Sequence, residues 1–84
     1  MTRTERIRSL LVKTFSPKNL EVINNSHEHA GHQGSPGTGE SHYTIVIKAQ
    51  VFDGLSQVQS HQAIYQALDS EFKSGLHALS IKVL

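Results

Sequence analysis

The segment HYTIVIKAQV, residues 42–51, decides the fold of this chain. Apolar and polar side chains alternate along it, and a period of two is typical of a strand with one buried face. We therefore predict a strand from His42 to Val51 that needs neighbouring strands and a layer of helix to cover its apolar face. That face carries Tyr43, Ile45, Ile47 and Ala49, and the opposite face carries Thr44, Val46 and Lys48.

The residues before this strand predict a helix, a second strand and a long connection. Thr2 or Thr4 is a suitable N-cap, and Pro17 ends the helix near residues 15–16 because the residue before a proline avoids helical angles. A short strand is predicted over residues 20–24. Residues 27–40 contain four glycines and a proline, which predicts a mobile loop that joins an antiparallel hairpin. The helix itself is indicated by apolar residues at helical spacing, Ile7, Leu10, Leu11 and Phe15.

The residues after the central strand predict a turn at 52–54, a helix and a last strand. Ser56 is the expected N-cap, and Gly75 is the expected glycine after the helix end. Alternation over residues 77–83 predicts the strand. The predicted order is α-β-β-α-β, with the second helix in one or two pieces, which is an α+β fold. The buried stripe of that helix is predicted to comprise Val58, His61, Ile64, Tyr65, Leu68 and Phe72.

Composition restricts the class of protein. The 84 residues suit one domain over residues 1–84, and the sequence has no cysteine, which excludes thiol catalysis and a thiolate metal site made by this chain alone. The sequence has eight basic and seven acidic residues, so it lacks the excess of positive charge that is typical of a dedicated nucleic-acid binder. No apolar run reaches the roughly 18–20 residues of a membrane span. We expect a cytoplasmic, monomeric binding module and not an enzyme, since no nucleophile is placed beside a base.

Histidine is the unusual residue of this sequence. Six of the 84 residues are histidine, and His27, His29 and His32 form a cluster in the Gly-rich segment. Imidazole binds iron, zinc, copper and nickel, but short His-rich tracts also bind metal opportunistically. His77 is either a metal ligand near the sheet edge or an ordinary strand residue, and a single histidine is more often structural. We assign His42 and His61 structural roles, with His42 bonding across the hairpin.

Five stretches of the chain, in order, resemble the BolA family. They are VINNS at residues 22–26, ESHY at 40–43, FDGLS at 52–56, HQAIY at 61–65 and GLHAL at 75–79. The resemblance implies an α-β-β-α-α-β fold like the type II KH domain, with a three-stranded mixed sheet and helices on one face. One departure is that Ser60 and Gln62 flank His61, where family members usually have arginine.

The resemblance also implies a partner and a cofactor. BolA-like proteins share a [2Fe–2S] cluster with a monothiol glutaredoxin, which supplies a cysteine and a bound glutathione. No cluster is expected in the isolated chain. The family's ligands are the histidine after the last helix, which matches His77, and a histidine or cysteine of the first loop. For that loop position His29 is preferred, His32 is second and His27 is third. The implied role is cluster assembly, transfer or iron and redox regulation.

The alternative function is a KH-like transcriptional regulator that binds nucleic acid. GHQG at residues 31–34 and GSPG at 34–37 match the G-x-x-G of KH domains. In KH domains this motif joins two helices and clamps nucleotides, whereas here both copies fall between predicted strands. We therefore interpret both as chance matches and expect DNA binding to be weak.

Overall fold

The computed structural model describes residues 2–25 and 41–84. Along these residues the elements are α1 (Arg3–Phe15), β1 (Asn19–Asn24), β2 (His42–Lys48), α2 (Gln57–Ala67), α3 (Asp69–Lys73) and β3 (Ala78–Val83). A 3-10 turn, Gln50–Phe52, lies between β2 and α2. This order confirms the α+β class and shows the second predicted helix in two pieces. Within the described ranges, no helix is both long and apolar enough to cross a membrane.

The three strands form one mixed sheet with β2 at its centre. β1 pairs with β2 in antiparallel fashion, with Leu20 opposite Ile47 and Val22 opposite Ile45. β3 pairs with the other side of β2 in parallel fashion, with Ile45 beside Ile81. The predicted antiparallel pairing of the first two strands is therefore confirmed. The predicted loop over residues 27–40 lies outside the described residues.

All three helices cover one face of this sheet. The alternation predicted for residues 42–49 is confirmed, because β2 buries every second side chain in the core. The Tyr43 hydroxyl, which this burial takes out of water, bonds to Thr4 Oγ1 at 3.0 Å. The core cluster comprises Ile7, Leu11, Phe15, Tyr43, Ile45, Ile47, Ala49, Phe52, Ile64, Leu68 and Leu76.

The central strand ends three residues earlier than the sequence predicts. β2 stops at Lys48, and residues 50–52 turn in a 3-10 helix whose Gln50 carbonyl accepts the Asp53 N–H at 3.0 Å. The turn buries Phe52, whose ring centroid lies 4.9 Å from that of Phe15, and leaves Val51 exposed. Burial of a large aromatic side chain therefore overrides the β-propensity of the valine.

The predicted apolar stripe of the second helix is also partly wrong. Ile64 is fully buried, as predicted, but Val58 is 65% exposed. Tyr65 is 43% exposed and His61 is half-buried. The face of α2 that packs on the sheet instead follows a four-residue step through Ser60, Ile64 and Leu68.

Each predicted helix cap is present. Thr2 Oγ1 accepts the Glu5 N–H at 3.2 Å at the start of α1. Ser56 Oγ accepts the Gln59 N–H at 3.1 Å, and the Gln59 side chain accepts the Ser56 N–H at 3.0 Å. This reciprocal pair is a capping box, which satisfies two N–H groups that have no partner inside a helix.

We expect Ser56→Ala to lower the free energy of unfolding by about 1 kcal/mol, because the capping hydroxyl is lost and the Gln59 N–H keeps no side-chain partner. Urea unfolding followed by circular dichroism measures the change. Ser9→Ala is the matched control, since Ser9 is an exposed residue of α1 and alanine has the higher helix propensity. Equal losses in the two variants would show that the cap contributes nothing specific.

Candidate metal-ligand site

His77 lies directly before β3, where a sharp turn positions it. α3 ends at Lys73, and Gly75 has a φ of +129°, a conformation that favours glycine. The Leu76 N–H donates to the Glu71 carbonyl at 2.8 Å, which is the long hydrogen bond of a Schellman motif. Leu76 is buried in the core, and the next side chain, His77, is exposed. The predicted role of Gly75 at the helix end is confirmed.

The backbone of His77 is fixed to the residue before β2, and its ring lies beside that of a second histidine. The His77 N–H donates to the Ser41 carbonyl at 2.8 Å. The imidazole centroids of His77 and His42 are 5.5 Å apart, with ring planes at 52°. His42 Nδ1 is 2.8 Å from Ser41 Oγ, and its carbonyl accepts the Asn25 N–H across the hairpin at 2.8 Å. The exposed imidazole of His77 therefore projects from a firmly held backbone.

Parallel pairing explains the proximity of the two histidines, which the sequence analysis did not anticipate. His42 is paired with Ala78, so the first residues of β2 and β3 lie at the same end of the sheet. The signal in the sequence was the strand order itself, because a crossover through α2 and α3 makes these two strands parallel.

The same end of the sheet holds the two flanks of the histidine-rich segment. Asn25 follows β1, its N–H bonds to the His42 carbonyl, and its side-chain oxygen accepts a hydrogen bond from the Thr44 hydroxyl. Ser41 precedes β2. Asn25 and Ser41 therefore lie at the end of the sheet that also holds His77. His27, His29 and His32 lie in the undescribed segment, so their assignment remains a prediction.

The described residues do not form a metal site alone. Among residues 2–25 and 41–84, no group of three or more His, Asp or Glu side chains could hold a metal ion. His77 can offer one exposed imidazole, which suits a borderline-soft metal such as iron. This single imidazole fits a metal centre whose remaining ligands come from outside the described residues. It does not fit a metal centre completed by the described side chains.

His61 lies apart from this site. It is half-buried on α2 and lines a groove near the other end of β3, beside Phe52 and Val83. The structure therefore separates the described histidines into two groups, His42 and His77 at one end of the sheet and His61 towards the other.

A buried ionic cluster holds the turn that carries His77. Glu71 on α3 is 4% exposed, and its carboxylate accepts hydrogen bonds from Arg3 at 3.0 Å and from Arg6 at 3.0 Å. Arg3 also donates to the Glu71 carbonyl and to the carbonyl and hydroxyl of Ser74, which lie at the end of α3. A guanidinium from the start of α1 therefore caps the helix that precedes His77.

These features define a class: a small α+β domain with helices on a three-stranded mixed sheet that exposes an imidazole at one end of that sheet. Comparison with known proteins gives the family. The BolA-like protein family model matches residues 11–84. The chain belongs to the BolA-like family, as its sequence motifs predict.

Three relatives illustrate the match. A Sinorhizobium sp protein, "Uncharacterized protein in cobS 5'region", is 48% identical over 83 residues, which cover 98% of this chain and 89% of that protein. The solved BolA domain of SufE1 from Arabidopsis thaliana has a TM-score of 0.88 at 44% identity and covers 99% of this chain and 91% of that chain. The match to SufE-like protein 1 covers only 23% of that protein. The DNA-binding transcriptional regulator BolA of Haemophilus influenzae is 37% identical over 96% of this chain and 75% of its own length.

Proposed function

We propose that this protein is a binding module, not an enzyme, that pairs with a monothiol glutaredoxin and shares a [2Fe–2S] cluster with it. Its role would be cluster assembly, transfer or iron and redox regulation. The observation that supports this most directly is the exposed His77 imidazole, at the end of the sheet where residues 25 and 41 flank the histidine-rich segment. The flanks of the segment that contains the predicted loop ligand, His29 before His32, thus lie at the same end of the sheet as His77.

The absence of cysteine in the sequence assigns the thiolates to the partner. The glutaredoxin cysteine and its bound glutathione would supply two sulfur ligands. Replacing two thiolates by neutral imidazoles lowers the negative charge around such a cluster, which raises its reduction potential as in Rieske centres.

The contribution of this chain would be to hold the His77 imidazole in position. The hydrogen bond from the His77 N–H to Ser41 fixes the Cα of His77, and the Gly75 turn directs the residue out of the fold. His42 packs beside the ring and limits its orientations. A ligand held in this way loses less conformational entropy on binding than a free side chain does.

We expect co-expression with a monothiol glutaredoxin to yield a coloured heterodimer whose visible absorption and circular dichroism differ from those of the glutaredoxin homodimer. His77→Ala should abolish the difference, because the complex loses an imidazole ligand. His61→Ala is the matched control and should retain it, since His61 lies away from the proposed site. His29→Ala should have a larger effect than His32→Ala. A spectrum that His77→Ala leaves unchanged would contradict the ligand assignment.

A second candidate, a nucleic-acid-binding regulator, has one observation in its favour, the name of the Haemophilus influenzae relative. Two features of this chain oppose it. The net charge is only +1. A single buried residue, Leu68, separates α2 from α3, which leaves no place between these helices for a G-x-x-G clamp. Salt-dependent DNA binding at physiological ionic strength, by a protein that gives no coloured complex, would favour this candidate.

A further inference from the structure

β3 is an edge strand of the sheet, and its outer edge faces away from β2. The Ala78 N–H donates to the Ser41 carbonyl at 3.1 Å, in the direction of β2. At the other end, the Leu84 N–H donates to the Ile47 carbonyl at 2.8 Å. A parallel ladder repeats every two residues, so the even-numbered residues of β3 turn their backbone groups towards β2. The odd-numbered residues turn theirs away from the sheet.

Two residues of this edge present backbone groups that the described part of the chain does not use. The N–H and C=O groups of Ile81 and Val83 point outward and have no partner among the described residues. The Leu79 carbonyl also points outward, and there the Tyr65 hydroxyl donates to it at 3.4 Å. The edge is therefore partly covered near the start of β3 and open towards its end.

A groove with a volume of about 430 Å³ runs along the open part of the edge. The outer edge of β3 forms one wall, and the first turns of α2 with the chain before it form the other. Ser60, which is buried, contributes a small side chain to the lining. The lining includes Phe52, Leu55, Ser60, His61, Ile81 and Val83.

The charge next to the groove is positive. Lys82 belongs to the face of the sheet that no described helix covers, and it takes part in no ion pair among the described residues. Glu21 shares that face but lies on β1, two strands away. A strand added beside β3 would therefore place its side chains alternately against the groove, whose lining is both apolar and polar, and beside the Lys82 ammonium.

We propose that the outer edge of β3 binds an extended segment of a partner protein in which apolar and acidic residues alternate. The segment would add a fourth strand to the sheet, and the main-chain hydrogen bonds to Ile81 and Val83 would provide affinity. Apolar side chains would enter the groove near Phe52 and Leu55, and acidic side chains would lie beside Lys82, which gives the sequence preference. This docking surface is independent of the proposed cluster function, because six residues of strand place Val83 about 20 Å from His77.

The test uses the whole chain and three synthetic peptides of about six residues, the usual length of a strand. In the first, valine alternates with glutamate; in the second, valine alternates with lysine; the third has the composition of the first with all valines before all glutamates. Binding is followed in two-dimensional ¹H–¹⁵N spectra. We expect the first peptide to bind at least about tenfold more tightly than the other two, and to slow the hydrogen exchange of the Ile81 and Val83 amides.

Two variants, each with a control variant, locate the interaction. Lys82→Glu should reverse the preference between the glutamate and lysine peptides, and Lys18→Glu, on the opposite side of the sheet, should not. Val83→Pro removes an outward N–H and leaves the inward ladder, so it should abolish binding, while Val83→Ala should retain it. If Val83→Pro fails to fold, the peptide preference of Lys82→Glu still shows whether the peptide binds beside Lys82.

Four outcomes would overturn the proposal. The first is no binding of the alternating glutamate peptide, in which case Lys82 serves only to protect an edge strand from aggregation. The second is equal affinity for all three peptides. The third is a shift of the Ile81 and Val83 amides with protein concentration alone, which assigns the edge to a second copy of the chain. The fourth is a shift of the same amides on adding single-stranded DNA, which assigns it to nucleic acid.

Discussion

Glu71→Ala is expected to lower the free energy of unfolding by about 3 kcal/mol, because it leaves the Arg3 guanidinium buried without its carboxylate. The Arg3 side chain is only 9% exposed, so water cannot replace the lost partner. Arg6 contributes less, since its side chain is 38% exposed and can turn to solvent. Domains of this length are stable by roughly 4–13 kcal/mol, so the loss is a large part of the total. Urea unfolding at neutral pH measures it.

Lys73→Ala is the control for this prediction. Lys73 and Asp69 form an ion pair on the surface of α3, where both side chains are mostly exposed. The hydrogen bond and charge of Asp69 raise the pKa of Lys73, so the pair stabilises the fold below the usual lysine pKa of 10.5 and is lost as the pH rises through the raised value. Solvent screening keeps its effect small at neutral pH. Equal shifts of the unfolding midpoint in both variants would contradict the importance of burial.

A double variant tests whether Arg3 and Glu71 stabilise the fold as a pair. If Arg3 and Glu71 act as a pair, replacing both with methionine should cost less than the sum of the single replacements, because neither charge then remains buried alone. Glu71→Ala should also weaken any complex that depends on His77, since Arg3 and Glu71 hold the end of α3. Additive losses in the double variant would show that the two side chains stabilise the fold separately.

Ile64→Ala is expected to lower the free energy of unfolding by about 3 kcal/mol, whereas Val58→Ala should change it by no more than about 0.5 kcal/mol. Both residues belong to the apolar stripe that the sequence predicts for the second helix. Ile64 is fully buried between α2 and the sheet, so alanine leaves a cavity there. Val58 is 65% exposed, and alanine at that position removes few contacts and has the higher helix propensity.

The comparison of these two variants is a direct test of how α2 is rotated on the sheet. Urea unfolding of both proteins under identical conditions gives the two free energies. A loss in Val58→Ala as large as that in Ile64→Ala would mean that Val58 is buried, as the sequence predicts, and that α2 is rotated away from the orientation that buries Ser60.

Local patterns were sufficient for the helices, the strands and most of their ends. Pro17 predicts the end of α1 near Phe15, and Ser56 with Gln59 marks the first turn of α2. The strand that ends at Lys48 was predicted too long because Val51 has high β-propensity, and only the packing of Phe52 on Phe15 explains the turn.

Long-range pairs could not be predicted in this way. Arg3 and Glu71 are 68 residues apart, and nothing near either residue indicates the other. The proximity of His42 to His77 likewise depends on the parallel pairing of β2 with β3. The candidate ligand His77 was found through a family motif, and the structure adds that it is exposed beside the flanks of the histidine-rich segment.

By itself the sequence determined the α+β class, the order of the elements and the absence of a thiolate, because periodicity, caps and composition are local properties. The tertiary structure alone decided how α2 is rotated on the sheet, which charged side chains are buried together and which backbone groups of β3 have no partner among the described residues. These properties depend on the surfaces that meet when the helices pack on the sheet, and the free energy of burial is shared among residues far apart in the chain.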